Sequence, residues 1–387
     1  MTRTLPKAAL FPFLLAAAGA PAQAREQAAQ QLVAQADGAP DTAAPTAPAL
    51  APQTLSSPRF IGPYRVLREL GAGGMGRVFL AESEAPIRRR VALKVIREGL
   101  FSPRLFKQFD VERQALASLE HDHIARLYDT GADSDGRPWM AMEWIEGEPI
   151  ASYCERRELD LDERLRLFAQ VARAVDHMHA RGVLHGDLKP DNILVTERDG
   201  RATPKVIDLG LARVGGAAAS EHGDDTEFVM GTPAYMAPEH FAFGGPQLDE
   251  RSDVFALGVV LRELLVGDAE KGTGELKPMW HGALAPRAAP SDALLANASL
   301  GETAARRRGM GRAKLLARLR SGLDAVVRRA TNLDPERRTR SASVLAREVE
   351  LAVADHARAQ VLRRAAVSLG AAASLGAALG ALVTHLV

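Results

Sequence analysis

Between about residue 60 and residue 145 the apolar positions come in short runs broken by glycine and charged turns: Tyr64–Leu70, Val78–Glu82, Val91–Ile96 and Trp139–Trp144. Runs of that length between turn formers predict strands. Within this region Leu105–Leu119 alone carries apolar residues at helical spacing, which predicts one helix. After Leu161 the period changes. Leu161–Arg181 and Val254–Val266 place apolar residues on helical stripes. The expected fold is α+β and two-lobed: a small, mainly β N-lobe with one helix over 59–145, and a larger, mainly α C-lobe over 146–354.

Both ends depart from these patterns. Residues 1–24 contain Arg3 and Lys7, an apolar run from Ala8 to Ala20, and Ala22-Gln23-Ala24, the order of a cleavable secretory signal. Residues 25–58 are mostly Ala, Gln, Pro and Thr; so few large apolar groups cannot offset the entropy of ordering, and a disordered linker is expected. Residues 365–387 carry no Asp, Glu, Lys or Arg, and a bilayer needs about 20 apolar residues. They form a candidate transmembrane helix. Gly376 and Gly380 stand at a GxxxG spacing that permits close approach of two such helices in a homodimer, although so Ala-rich a stretch also produces that spacing by chance. Arg363 and Arg364 precede it, which by the positive-inside rule puts the preceding domain on the cytoplasmic side of the inner membrane. A cleaved N-terminal signal would export that domain instead. The two ends conflict.

Composition narrows the function classes. With 47% apolar and 25% charged residues in 387, the chain can bury a large core. Lys plus Arg (49) nearly cancels Asp plus Glu (48), so no global field singles out nucleic acid as partner. Cys154 is the sole cysteine, which excludes an internal disulfide and a cysteine zinc cluster. Arg306–Arg320 holds seven Lys or Arg residues; it reads as a solvated basic surface, with a contact to anionic lipid as the alternative.

The chemistry is concentrated in four places. Gly71-Ala72-Gly73-Gly74-Met75-Gly76-Arg77-Val78 fits G-x-G-x-x-G-x-V between two strand-like runs, where residues without side chains let backbone N–H groups approach phosphates. A dinucleotide-binding loop would lead into a helix, whereas Val78-Phe79-Leu80-Ala81 reads as a strand; a plain glycine-rich hairpin is the other reading. Lys94 lies inside an apolar strand, and a buried ammonium needs a carboxylate or an anionic ligand. Glu112, on the helix-period segment, is the natural partner. His185-Gly186-Asp187-Leu188-Lys189-Pro190-Asp191-Asn192 and Val206-Ile207-Asp208-Leu209-Gly210 follow. Together they supply a base for an attacking hydroxyl and oxygen ligands for Mg²⁺, the needs of phosphoryl transfer.

With these residues the chain resembles bacterial serine/threonine protein kinases over roughly Tyr64 to Val353, and is most similar to the proteobacterial transmembrane kinases whose catalytic domain precedes a membrane span. Gly231-Thr-Pro-Ala-Tyr-Met-Ala-Pro-Glu239, Asp253-Val-Phe-Ala-Leu-Gly258 and Asp334-Pro-Glu-Arg-Arg338 carry the resemblance further. It implies ATP with Mg²⁺ (or Mn²⁺) as cofactors and Ser/Thr of protein substrates as acceptors. Asp187 would orient and deprotonate the hydroxyl, Lys189 contact the γ-phosphate, and Lys94 hold the α- and β-phosphates while paired with Glu112. Asn192 and Asp208 would bind the metal. Gly71, Gly73, Gly74 and Gly76 would cover the phosphates, and Leu70, Val78, Ala92 and Leu194 sandwich the adenine. Met142 would be the gatekeeper, with Glu143 to Ile145 as the hinge. Glu239 would pair with Arg338. Gly186 stands where many kinases carry Arg, and Leu209 where Phe is usual; neither change removes a catalytic group. A pseudokinase scaffold is the alternative reading, and the complete set Lys94, Glu112, Asp187, Asn192 and Asp208 argues against it. The Gly231–Glu239 segment argues against a small-molecule phosphotransferase.

Overall fold

The computed structural model describes residues 60–73, 76–83, 88–96, 119–208, 213–214, 232–241, 248–267 and 288–384, with the backbone alone at 213–214, 241, 363–364 and 366–384. Several sequence expectations lie outside the described residues: the signal-like segment 1–24, the linker 25–58, Gly74, Leu209, Gly231, and the predicted helix with Glu112 up to residue 118.

Six antiparallel strands form the N-lobe sheet: β1 (Phe60–Ile61), β2 (Tyr64–Gly73), β3 (Gly76–Ser83), β4 (Arg89–Ile96), β5 (Leu127–Ala132) and β6 (Pro138–Glu143), in the spatial order β1-β2-β3-β4-β6-β5. Period-two alternation sorts its faces. Phe79 and Ala81, Val91 and Leu93, and Trp139 and Ala141 join Ile61, Tyr64 and Val66 in one buried cluster. The alternate residues pair across the strands as Val78 with Lys94, Lys94 with Met140, and Ala92 with Met142. Directly opposed residues share a face, so Val78, Ala92, Lys94 and Met142 lie together on the side away from that cluster. β2 runs three residues past its predicted end at Leu70 and takes Gly71 and Gly73 into the hairpin, opposite Val78 and Gly76. At Gly76 the neighbouring strand comes close: a Cβ there would lie 2.0 Å from the Val95 carbonyl oxygen, so no other residue fits without moving β4.

The C-lobe starts with β7 (Glu148–Pro149), α1 (Ile150–Arg156) and α2 (Leu161–His179). The start of α2 is set by a capping box: Asp160 Oδ1 accepts from the Glu163 N–H at 2.8 Å, and Glu163 Oε2 accepts from the Asp160 N–H at 2.8 Å. β8 (Val183–Leu184), a 3₁₀ turn over Pro190–Asn192, and the hairpin β9 (Ile193–Arg198) and β10 (Arg201–Val206) follow, with β9 between β10 and β7. β11 (Arg213–Val214) pairs with β8. α3 (Glu250–Val266) is capped by Asp249 and is buried on nearly every side. An apolar helix of that kind is the core about which others pack. Those are α4 (Pro290–Ala296), α5 (Ala298–Arg307), α7 (Asp324–Ala330) and α8 (Ala342–Thr384), while α6 (Arg312–Arg318) packs against α5. None of α4 to α7 was anticipated individually, because each spans only 7 to 10 residues, too few to show a helical stripe.

α8 packs along α2 and is tied to it by Arg173–Glu350, and to α7 by Arg329–Glu348. Its helical backbone continues without a break to Thr384. Among the described residues no helix is long and apolar enough to cross a membrane; from Ala366 onward the side chains of the expected span lie outside them.

Candidate active site

The segment His185–Asn192 is held from beneath by one buried carboxylate. Asp253, on α3, accepts the His185 N–H at 2.8 Å, the Gly186 N–H at 3.0 Å and His179 Nε2 at 2.8 Å. Burial alone would push this carboxyl up, but the His179 bond and charge, the nearby His185 ring and the Gly186 N–H together hold it below the usual carboxylate range. Gly186 has φ +77°, a conformation glycine adopts without cost. His185 Nε2 donates to the Ile207 carbonyl at 3.0 Å, and its Nδ1 accepts the Asp187 N–H at 3.2 Å.

Above this base Asp187, 7% exposed, is the convergence point. Its Oδ2 accepts from Lys189 Nζ at 2.9 Å and Asn192 Nδ2 at 3.1 Å, and its Oδ1 from the Thr232 N–H at 2.9 Å. Lys189 also donates to Thr232 Oγ1 at 2.7 Å. Because Asn192 Nδ2 points at Asp187, the Asn192 amide oxygen is the atom left to face a cation. Asp208 follows β10 with φ +63° and forms an ion pair with Lys94, which is 3% exposed. The structure thus brings Lys94 to Asp208; the expected partner Glu112 lies outside the described residues.

The other expected residues are placed as follows. Val78, Ala92 and Met142 share a sheet face with Lys94, as the register requires. Leu70 lies at the irregularity in β2, Ile145 is buried just past β6, and Leu194 sits on β9 opposite Lys205. A Cβ placed at Gly71 or Gly73 would meet no atom of the described residues within 4 Å. Glu143 has a role the sequence did not disclose: its N–H donates to the Arg126 carbonyl at 2.8 Å, and its carboxylate accepts Lys205 Nζ at 2.6 Å and Arg198 at 3.3 Å. It joins the lobes through its side chain. Lys205 and Asp253 could have been found by one signal, a charged residue within an apolar run that must be paired when buried. Glu239 and Arg338 pair as expected, at 2.6 and 3.0 Å.

Asp208 and Asn192 offer two hard oxygen ligands, and among the described residues no group of three or more His, Cys, Asp or Glu could hold a metal. Such a set fits Mg²⁺, which is bound by one or two protein oxygens together with substrate phosphates and water. The structure sets a β sheet with a glycine hairpin and an internal lysine over a helical lobe that carries Asp187, Asn192 and Asp208. Residues 64–280 match the protein kinase domain family, and the chain belongs to it. It is 38% identical over 210 residues to serine/threonine-protein kinase Pkn1 of Myxococcus xanthus, covering 53% of this chain and 29% of that protein. With serine/threonine-protein kinase PrkC of Bacillus subtilis it shares 36% over 215 residues, 55% of this chain and 32% of the relative. The chain thus matches about a third of these relatives' length. The crystal structure of the Mycobacterium tuberculosis PknI kinase domain superposes with a TM-score of 0.55 at 26% identity, covering 78% of this chain and all of that one.

Proposed function

We propose that this chain is a serine/threonine protein kinase that transfers the γ-phosphate of ATP to Ser or Thr of protein substrates. The observation that carries the reading is the bonding of Asp187, Lys189 and Thr232 into one unit beside Asn192 and the Lys94–Asp208 pair. Asp187 sits at the mouth of the segment as the base for an incoming hydroxyl. Lys189 and Lys94 supply fixed positive charge where the transferred group gains negative charge. Mg²⁺, held by Asp208 and the Asn192 amide oxygen, would neutralise phosphate charge. Lys189 bonded to Thr232 closes the region beside Asp187, which favours the slim Ser or Thr side chain over Tyr. Phosphoamino acid analysis of the full-length chain, incubated with labelled ATP and Mg²⁺, is expected to give phosphoserine and phosphothreonine. Nucleotide binding without transfer would leave a pseudokinase; phosphotyrosine as the main product would overturn the specificity.

We further propose that residues 365–387 anchor the chain in the inner membrane with the kinase domain in the cytoplasm. An uncharged segment preceded by Arg363-Arg364 supports this, as does the need for ATP. Full-length protein is expected in the membrane fraction, and deletion of 365–387 is expected to release it. If fractionation is unchanged by the deletion, the anchor is elsewhere.

A further inference from the structure

Three imidazoles meet where segment 119–126, which leads into β5, lies against the C-terminal end of α2. The His121 and His177 ring centres are 4.9 Å apart, and those of His121 and His123 are 5.5 Å apart. Their hydrogen bonds fix where each proton sits. Arg181 donates to His177 Nδ1 at 3.2 Å, so neutral His177 carries its hydrogen on Nε2, which is buried and without a hydrogen-bond partner among the described residues. His121 Nδ1 accepts the His123 N–H at 3.1 Å, and His123 Nδ1 lies 2.8 Å from the Pro204 carbonyl, to which it donates.

A second proton therefore has nowhere to go at His177 or His121. On His177 it would face the Arg181 guanidinium; on His121 it would displace the His123 N–H. The surrounding charges agree. Burial, the other two imidazoles and Arg181 all oppose charging His121, and only Asp122 favours it. Burial and Arg181 oppose charging His177. Glu120 and Arg126 line the same open depression as His121, Asp122 and His123, and the nearby ammonium of Lys205 is bound to Glu143.

The segment is also stitched to the strand that presents Asp208. Val206 N–H donates to the His123 carbonyl at 2.8 Å, Ala125 N–H to the Val206 carbonyl at 2.9 Å, and Lys205 Nζ to the Ile124 carbonyl at 3.4 Å. Motion of 119–126 away from α2 thus pulls on β10, two residues from Asp208.

We propose that His121, His123 and His177 form an acid-sensitive latch between the lobes: protonation drives segment 119–126 off α2 and weakens the hold of the site on its metal and nucleotide. In its consequence for nucleotide it rests on the kinase reading; the latch itself does not. Since His121 and His177 are held below the ordinary histidine value near 6.5 when docked, docking is complete above that pH and is lost as pH falls through it.

Hydrogen exchange of the full-length chain, corrected for its intrinsic pH dependence, tests the latch without reference to catalysis. Between about pH 7.5 and about pH 6, protection over 119–126 and 173–181 is expected to fall about tenfold, roughly threefold from each of His121 and His177 as the undocked ring takes up a proton near the ordinary histidine value. His177→Phe keeps a ring in place but cannot titrate, and is expected to lose less than about threefold. Over the same interval KM for ATP should rise about threefold in wild type and stay nearly constant in His177→Phe. If His177→Phe does not fold, His121→Asn, whose amide oxygen can still accept the His123 N–H, serves instead. Equal loss of protection in wild type and variant, or no loss in wild type, overturns the latch. A protein that shows the exchange response but transfers no phosphate would overturn the kinase reading and leave the latch standing.

Discussion

Asp187→Asn is expected to lower kcat by about 10²–10⁴-fold, the usual contribution of a positioned general base, or roughly 3–5 kcal/mol of barrier. The substitution keeps shape and volume. Its oxygen can still accept from Lys189 and Asn192, while its NH₂ group replaces the acceptor that meets the Thr232 N–H at 2.9 Å. The fold is anchored below this point by Asp253, not by Asp187, so the melting temperature should move by no more than about 5 °C, as expected for loss of one hydrogen bond. Lys94 and Asp208, which meet the nucleotide and metal in this reading, are untouched, so KM for ATP should stay within about threefold, a loss confined to the transition state. Single-turnover rates with a Ser/Thr peptide check the first expectation and thermal unfolding the second. A variant that keeps its rate shows that Asp187 is not the base; one that loses rate and stability together shows that its role is structural.

The parts of this site that the sequence disclosed are those whose chemistry forces a residue type at a local spacing. Lys94 was legible because an ammonium inside an apolar strand demands an anion, and Asp187 to Asn192 because a base, a cation and an amide stand within one turn of chain. The sheet register then followed from period two, which is why Val78, Ala92 and Met142 fall on the face of Lys94. What stayed hidden depends on long-range partners. The Glu143–Lys205 tie joins residues 62 apart, and nothing near either names the other. Asp253 was visible as part of a motif, but its three donors come from α2 and the His185 segment. The pairing of Lys94 with Asp208 spans 114 residues. The arginine-rich stretch 306–320 reads as surface from its charge, yet Arg308 is 1% exposed: it donates to the Ala304 and Leu264 carbonyls and lies 3.7 Å from Glu155. Burial and the neighbouring Arg164 push its guanidinium down to about 9. Helix C-termini need donors for their carbonyls, and a charged residue that meets that need is indistinguishable by composition from a solvated one.

Arg338→Met is expected to destabilise the domain by about 3–5 kcal/mol, because removing one member of a buried pair strands the other. Arg338 donates through two nitrogens to Glu239, through Nη1 also to the Arg251 carbonyl at 2.8 Å, and through Nε to the Asn332 carbonyl at 2.9 Å. Its guanidinium lies 5.1 Å from the Phe255 ring. Methionine fills the volume and keeps the contact with Phe255, but leaves Glu239 with Ser252 Oγ at 2.9 Å. For a domain of this size such a loss lowers the melting temperature on the order of 10 °C. The pH dependence identifies the cause. Burial alone would raise the Glu239 carboxyl, but the Arg338 bond and charge hold it below its usual value. In wild type its contribution is therefore present above the unfolded value of about 4.3 and lost as pH falls through the lowered folded value. In Arg338→Met burial is opposed only by the Ser252 and backbone hydrogen bonds, so the carboxyl rises above that value, and the folded variant binds the extra proton and loses stability as pH increases. The difference between wild type and variant should thus be greatest near neutrality and shrink toward about pH 4. Urea unfolding at both pH values measures it, and a difference independent of pH would assign the loss to packing alone. Glu239→Gln added to Arg338→Met removes the stranded charge and should recover part of the loss, a coupling on the order of 1–3 kcal/mol. Glu239 lies seven residues after Thr232, whose N–H bonds Asp187, so the single variant should also lose activity below its melting point and the double variant regain some of it.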